Sequence, residues 1–226
     1  MVLIALGIVA LLALIFAPQL WIRSTMARYS AERADFPGTG GELARHLLDE
    51  AGLTDVKVEA VAAGDHYSPD DKAVRLAKSN FEGRSVTAIA VAAHEAAHAI
   101  QDAQAYAPLH LRQKLVGYGI IIERVGSALL LATPLALVLT RSPMVLVFQL
   151  VAGLGILAST ILLHLVTLPT EFDASFKRAL PALEHYIRPG DMKGARRVLR
   201  AAAFTYVAAA LVSLIDVARW IRILRF

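Results

Sequence analysis

The stretch SVTAIAVAAHEAAHAIQD, residues 85–102, decides the fold because it predicts a buried helix with three ionisable side chains at its centre. Its alanines favour a helix strongly, and Ser85 is a suitable N-cap. His94 and His98 are four residues apart and therefore share one helix face. Because a buried His or Glu without a partner is costly, a metal ion is the simplest explanation for the group.

The spacing of these residues is typical of a catalytic zinc site. Two neutral imidazole nitrogens, from His94 and His98, suit zinc well. Glu95 follows the first histidine directly, so its carboxylate lies beside the metal, where it can take a proton from a metal-bound water and pass one to a leaving amine. We predict one zinc ion and assign Glu95 as the catalytic residue; manganese and cobalt are alternative ions for the same ligands.

A catalytic zinc site needs a third protein ligand, and the predicted one is Glu171 in LPTEFDAS, residues 168–175. No Gly-x-x-His follows His98, so the extended metzincin pattern is absent. Asp173 is the fallback ligand, or a partner that orients another ligand. Asp102 either orients His98 or faces water. The weaker candidates are His110, His164, His66 and Tyr67, and for His164 a hydrogen bond between helices is favoured over metal binding.

Composition points to a membrane protein. Hydrophobic residues make up 57% of the 226 residues and charged residues 19%. Cysteine is absent, so disulfides, thiolate metal sites and a cysteine nucleophile are excluded. The net charge is +4, but no basic stripe with interleaved aromatic residues occurs, so we expect no nucleic-acid partner.

The apolar residues gather into four blocks, and each is long enough to predict a transmembrane helix. The first is an N-terminal anchor at 1–22, for which a signal peptide is the alternative. A helical hairpin follows at 117–168, with apolar runs at 117–140 and 144–168. The last block, 201–221 within the C-terminal segment 201–226, is the weakest, and an amphipathic surface helix is its alternative.

Two polar segments, 23–116 and 169–200, separate these blocks, and both are rich in Lys and Arg. Cationic loops stay in the cytoplasm. We therefore predict a multi-pass protein of the bacterial inner membrane with both segments, and the metal site, on the cytoplasmic side. The predicted fold is a mostly α integral membrane protein with four transmembrane helices and a zincin-like cytoplasmic domain.

Local patterns predict the elements before the metal helix. Thr39 and Glu42 form a capping-box pattern that opens a short helix at 40–51. Alternating apolar residues predict strands near 56–60 and 72–76, joined by turn-forming residues as a small β-hairpin. The edge of that hairpin either pairs with an extended substrate or only caps the metal helix.

Several motifs together resemble the YugP-type neutral zinc metallopeptidases of bacteria. They are DHYSP at 65–69, EGRSV at 82–86, HEAAHAIQ at 94–101 and LPTEFDAS at 168–175, and the likeness covers nearly the whole chain. Members usually carry Gly before the second histidine, where this chain has Ala97. The family is similar in layout to the HtpX-type and CAAX prenyl proteases, which use HExxH with a distant Glu. The resemblance thus implies a gluzincin-like site with Glu171 as third ligand, and it names no substrate.

The predicted function is zinc-dependent hydrolysis of peptide bonds by an endopeptidase, with the lipid bilayer and a peptide or protein substrate as partners. Two alternatives stay open. A site-2-type intramembrane protease would bury the HExxH helix in a membrane span. A non-enzymatic membrane scaffold would hold a structural zinc with a fourth protein ligand such as His110, His66 or Asp173.

Overall fold

The computed structural model describes residues 2–62, 64–142, 144–209 and 211. Its elements are mostly helical, with three short strands before the central helix. In chain order they are α1 Val2–Arg28, α2 Gly40–Glu50, β1 Lys57–Val61, β2 His66–Ser68, β3 Ala73–Ala77, α3 Lys78–Phe81, α4 Val86–Ala103, α5 Ala107–Thr140, α6 Met144–Phe172, a π-helical segment Asp173–Ala179, α7 Leu180–Leu183 and α8 Met192–Ala203.

The chain divides into two compact units. The first comprises Met1–Ala17, Leu111–Thr167 and Tyr206–Phe226, and the second comprises Pro18–His110 and Leu168–Thr205. The second unit contains the HExxH helix and also the segment around Glu171, although about 75 residues of sequence separate them. Everything needed to assemble a metal site therefore folds within one unit.

The first unit contains most of the long helices α5 and α6. Each includes one of the two apolar runs of the predicted hairpin and extends beyond it. The prediction of four membrane-spanning helices is nevertheless wrong: in the described part of the chain, no helix combines the length and the apolar character that crossing a bilayer requires. The expected multi-pass topology and cytoplasmic site rested on those spans. Most of the fourth predicted span, 201–221, lies outside the described residues.

Helix α4 forms the centre of the second unit. It packs against α2, α8 and the π-helical segment. Its seven alanines between residues 88 and 99 are at most 2% exposed, and these small side chains let neighbouring helices approach from several sides. Ser85 caps the helix as predicted, since its hydroxyl accepts a hydrogen bond from the Ala88 N–H at 3.1 Å.

Helix α2 begins where the capping box predicted it. The Thr39 N–H donates to the Glu42 carboxylate at 2.7 Å, and the Glu42 N–H donates to the Thr39 hydroxyl at 3.2 Å. At Gly40 a Cβ would lie 2.8 Å from the Ala88 carbonyl oxygen, so only glycine permits this approach of α2 to α4. Leu43, Leu47 and Leu48 then face the core.

The predicted two-stranded hairpin is wrong in topology. The sheet has three strands in the order β1-β3-β2, in which β1 and β3 pair in parallel and β2 pairs antiparallel with β3. The predicted turn itself contains β2. The Asp65 carboxylate explains this path, because it accepts hydrogen bonds from the Ala77 N–H and the Asn80 amide and so ties the start of β2 to the end of β3.

Helix α6 carries Glu171 into the second unit. It continues through Pro169 to Phe172, although proline cannot donate a helical hydrogen bond and commonly kinks or ends a helix. A π-helical segment follows directly. Such segments bring residues five apart onto one face, and Asp173 indeed accepts a 2.6 Å hydrogen bond from Arg178.

Candidate metal centre

The three ionisable residues of α4 are buried. His94, Glu95 and His98 are 4%, 7% and 6% exposed. Their neighbours along the helix are mostly alanines, which offer no hydrogen bonds from their side chains. Apart from Gln101 on the same helix, the hydrogen-bonding partners of the two histidines therefore come from other elements.

Glu171 meets both histidines. Its Oε2 atom lies 3.2 Å from His94 Nε2 and 3.6 Å from His98 Nε2, and Glu171 is 2% exposed. One ligand atom from each of the three residues lies within 4.8 Å of the others. Among the described residues, this is the single group of His, Asp or Glu side chains that converges closely enough to hold a metal ion.

The donor set fits zinc. Two imidazole nitrogens and one carboxylate oxygen are ligands that zinc favours, and three protein ligands leave a coordination position open, as catalytic zinc sites require. The buried setting suits a divalent cation bound by an anionic carboxylate, because little water competes for the ligand atoms. Zinc would be held by His94, His98 and Glu171.

The pKa values of the two carboxylates of the site shift in opposite directions. Burial would raise the pKa of Glu171, but hydrogen bonds from His94 and His98, together with their charge, lower that pKa below its ordinary value. Burial raises the pKa of Glu95, and the nearby histidines offset this only partly. Glu171 is therefore held as an anion suited to a cation, while Glu95 is the more basic carboxylate.

Ser175 fixes the orientation of His94. The Ser175 hydroxyl lies 3.0 Å from His94 Nδ1 and 3.2 Å from the Leu199 carbonyl oxygen. A carbonyl oxygen only accepts, so both contacts are satisfied when Ser175 donates to Leu199 and accepts from the His94 Nδ1–H. With the Nδ1–H held in this way, Nε2, which faces Glu171, is the nitrogen that would bind a metal once it loses its proton.

Gln101 fixes the orientation of His98. Its side-chain nitrogen donates to the Thr170 carbonyl oxygen at 3.0 Å and to Asp173 Oδ2 at 2.8 Å. Two acceptors there fix the amide orientation, so Gln101 Oε1 must be the atom that lies 2.9 Å from His98 Nδ1 and accepts its proton. In both histidines the Nδ1–H is held by an acceptor, so Nε2 is the nitrogen that would bind a metal.

Comparison with known proteins identifies the family of the chain. The sequence model of one protein family, described as "Putative neutral zinc metallopeptidase", matches residues 3–225. The chain belongs to this family. It is also similar to a Bacillus subtilis (strain 168) protein named "Putative membrane protease YugP", at 39% identity over 220 residues that cover 95% of this chain and 93% of the relative. No solved structure matches it.

Membership of the neutral zinc metallopeptidase family confirms the resemblance seen in the sequence and makes zinc the expected metal. The structure brings together the three predicted ligands, His94, His98 and Glu171, and buries Glu95 next to His94 on α4. Their roles as ligands and catalyst remain predictions.

The other candidates lie elsewhere. Asp173 is outside the ligand group and bonds to Gln101 and Arg178, which matches the orienting role. Asp102 does not contact His98; it accepts a 2.9 Å hydrogen bond from the Tyr67 hydroxyl.

His164 lies in the first unit, with no hydrogen bond to its Nδ1 from the described residues, so the predicted interhelical bond is not found at that atom. His66 is exposed on β2, and neither it nor His110 joins the ligand group.

Two residues of this site were missed from the sequence, Gln101 and Ser175. Both are fully buried. Gln101 follows His98 by three positions on a helix otherwise filled with alanine, and Ser175 follows Glu171 by four. A polar residue one helical turn from a predicted ligand was therefore the available signal.

We expect Gln101→Leu and Ser175→Ala each to weaken zinc binding about 10- to 100-fold, because the affected histidine loses the partner that fixes its tautomer. Competition with a chromophoric zinc chelator measures this without reference to activity. Ser30→Ala is the matched control, since the Ser30 hydroxyl bonds only to a local carbonyl on the surface. An unchanged zinc affinity in both variants would show that the two partners do not support the metal site.

Proposed function

We propose that the chain is a zinc-dependent endopeptidase in which His94, His98 and Glu171 bind one zinc ion and Glu95 is the general base and acid. The observation that carries this proposal is the convergence of the three ligand atoms within 4.8 Å in a buried site. Glu95 adjoins one ligand in sequence and is buried in the same helix.

Bound zinc would supply a Lewis acid, which polarises a peptide carbonyl and promotes deprotonation of water. Glu95 accepts the proton of the attacking water at its carboxylate, and burial favours the protonated form that results. The hydroxyl oxygen joins the carbonyl carbon, the C–N bond breaks, and Glu95 returns its proton to the departing nitrogen. The products are one carboxylic acid, which then ionises by releasing its proton to water, and one amine.

In this proposal, an extended substrate peptide pairs with the free edge of strand β2. Strand β3 is paired on both sides, so the free edges of the sheet belong to β1 and β2. Tyr67 on β2 bonds to Asp102, one helical turn beyond His98, which places β2 beside the metal helix. An extended peptide can pair with such an edge. Because the four site residues are at most 7% exposed, we expect neighbouring elements to separate when a peptide enters.

We further propose that the protein works at a membrane, as the name of its Bacillus subtilis relative says of that protein. Large apolar side chains of the first unit are exposed on α5; they include Leu131 at 78%, Leu139 at 74% and Val138 at 73%. An apolar surface of this kind marks contact with lipid or protein. The partners proposed are a lipid bilayer and a peptide or protein substrate.

Metal removal tests the proposed function. We expect the purified protein to cleave an internally quenched peptide library, to lose that activity in 1,10-phenanthroline, and to regain it with one equivalent of zinc per chain. Metal analysis by mass spectrometry should find about one zinc per chain, as three ligands at one site predict. Cleavage that persists after complete removal of the metal would contradict the proposal.

A further inference from the structure

A groove of about 610 Å³ opens on the second unit between the π-helical segment and α8. Its apolar wall contains Phe172, Phe176 and Phe204, and its polar residues are Glu184, Arg196 and Arg200. None of these six is a proposed metal ligand or the catalytic Glu95. The groove is therefore a feature that the proposed peptidase chemistry leaves unexplained.

The apolar wall is a cluster of aromatic rings. The centroid of the Phe172 ring lies 5.7 Å from that of Phe176 and 5.6 Å from that of Phe204, and Trp21 contacts Phe204 edge-on at 6.3 Å. Phe172 is 39% exposed and Trp21 is 40% exposed. Of these residues, Trp21 is of the type that is enriched at membrane–water interfaces, and the phenylalanine rings beside it add apolar surface.

The positive charge of the groove comes from α8. Arg196 and Arg200 are one helical turn apart and exposed, while Val198 and Leu199 of the same helix are buried in the core. Within the described part of the chain, no ion pair or side-chain hydrogen bond occupies either guanidinium. Arg197, by contrast, donates to the Tyr29 hydroxyl at 2.9 Å.

We propose that this groove binds an anionic phospholipid of the membrane surface. The two guanidiniums hold the phosphate, for which arginine is well suited, and an acyl chain covers the phenylalanine rings. Two arginines against the single acid Glu184 leave a net positive charge, which complements an anionic headgroup. A free phosphate would use the arginines but leave the aromatic wall exposed, and an acidic peptide would not account for the half-exposed Trp21 beside it.

This lipid site is distinct from the proposed peptidase function. Binding requires neither zinc nor Glu95, so we expect the metal-free protein and the Glu95→Gln variant to bind lipid as the parent does. Loss of peptidase activity and loss of lipid binding can therefore be scored separately. A protein that binds the lipid but cleaves no peptide would contradict the proposed peptidase function and still support the lipid site.

Native mass spectrometry of the full chain in detergent tests the site. Phosphatidylglycerol and phosphatidylcholine with the same acyl chains are titrated in separate arms, with inorganic phosphate as a third arm. We expect the parent to bind one phosphatidylglycerol more tightly than phosphatidylcholine. Arg196→Gln/Arg200→Gln should weaken phosphatidylglycerol binding about tenfold or more, as the loss of two interfacial cations implies.

Three further variants sharpen the result. Lys57→Gln/Lys193→Gln removes the same charge from exposed positions outside the groove and should leave binding unchanged. Glu184→Gln removes the acid from the groove and should tighten phosphatidylglycerol binding. Phe204→Ala should weaken it without changing the response to inorganic phosphate.

Several outcomes would overturn the proposal. They are equal affinity for the two lipids, phosphatidylglycerol binding that survives the double arginine substitution, and equal loss in the lysine control. Displacement of the lipid by an acidic peptide that binds more tightly would assign the groove to a protein partner instead. Circular dichroism of each variant checks that the fold is retained, and the exposed positions of Arg196 and Arg200 favour this.

Discussion

Glu95→Gln is expected to abolish peptide cleavage while zinc stays bound. Glutamine has nearly the same shape but cannot accept a proton, and general acid–base catalysis contributes a factor of about 10² to 10⁴. Glu95 is outside the group of ligand atoms, so the ligands are unchanged. The substitution also removes a buried carboxylate whose burial disfavours its charged form, so we expect no loss of stability.

The measurement combines peptide cleavage with zinc content on the same preparation. Glu82→Gln makes the same chemical change on the exposed segment before α4 and should cleave like the parent. If Glu95→Gln cleaves as fast as the parent, Glu95 is not the catalytic residue. If it cleaves slowly because it has lost zinc, Glu95 acts on the metal site rather than on the reaction.

Glu171→Ala is expected to remove zinc from the protein. It deletes one of three proposed ligands, and among the described residues Glu171 is the only one whose carboxylate forms ion pairs with both histidines, at 3.2 and 3.6 Å. Removal of a residue that only hydrogen-bonds to a ligand, such as Gln101, typically weakens metal binding about 10- to 100-fold. We expect Glu171→Ala to weaken zinc binding by more than this. Chelator competition and metal analysis measure it.

Asp173→Asn is the comparison that separates the two acids of this segment. Asp173 bonds to Gln101 and Arg178 and lies outside the ligand group, so its amide variant should lose much less affinity than Glu171→Ala. The reverse order, with zinc retained in Glu171→Ala and lost in Asp173→Asn, would mean that Asp173 is the third ligand and the assignment of Glu171 is wrong.

Local sequence patterns predicted the local structure well. The capping box at Thr39 and Glu42 and the cap at Ser85 depend on residues three positions apart, and both hydrogen-bond as expected. The HExxH spacing likewise places two histidines on one face of α4. These features need only the geometry of a single helix.

Features that depend on tertiary contacts were harder to predict. The parallel pairing of β1 with β3 joins strands that β2 separates in sequence, and the Asp65 carboxylate ties the start of β2 to the end of β3. Helix α6 continues through Pro169, whereas the local tendency of proline is to kink or end a helix. Long apolar runs predicted membrane spans from composition alone, whereas the helices of the described residues do not meet the requirement for crossing.

The metal site contains residues that the sequence predicted and residues that it did not. Glu171 was predicted from its acidic side chain after an apolar run and from family resemblance, and the structure places it against both histidines. Gln101 and Ser175 were missed because neutral side chains acquire their meaning only when the opposite element is known. Ser175 needs the Leu199 carbonyl of α8 to fix its proton, and no pattern in the sequence joins those two positions.

The most direct test of the account is a crystal structure of the zinc-loaded protein with data collected on both sides of the zinc absorption edge. We predict one anomalous peak about 2.0 to 2.2 Å from His94 Nε2, His98 Nε2 and a Glu171 carboxylate oxygen, with Glu95 beside it and not bound. A peak elsewhere, or one at the two histidines with Glu171 turned away and no carboxylate in its place, would contradict the proposed metal centre.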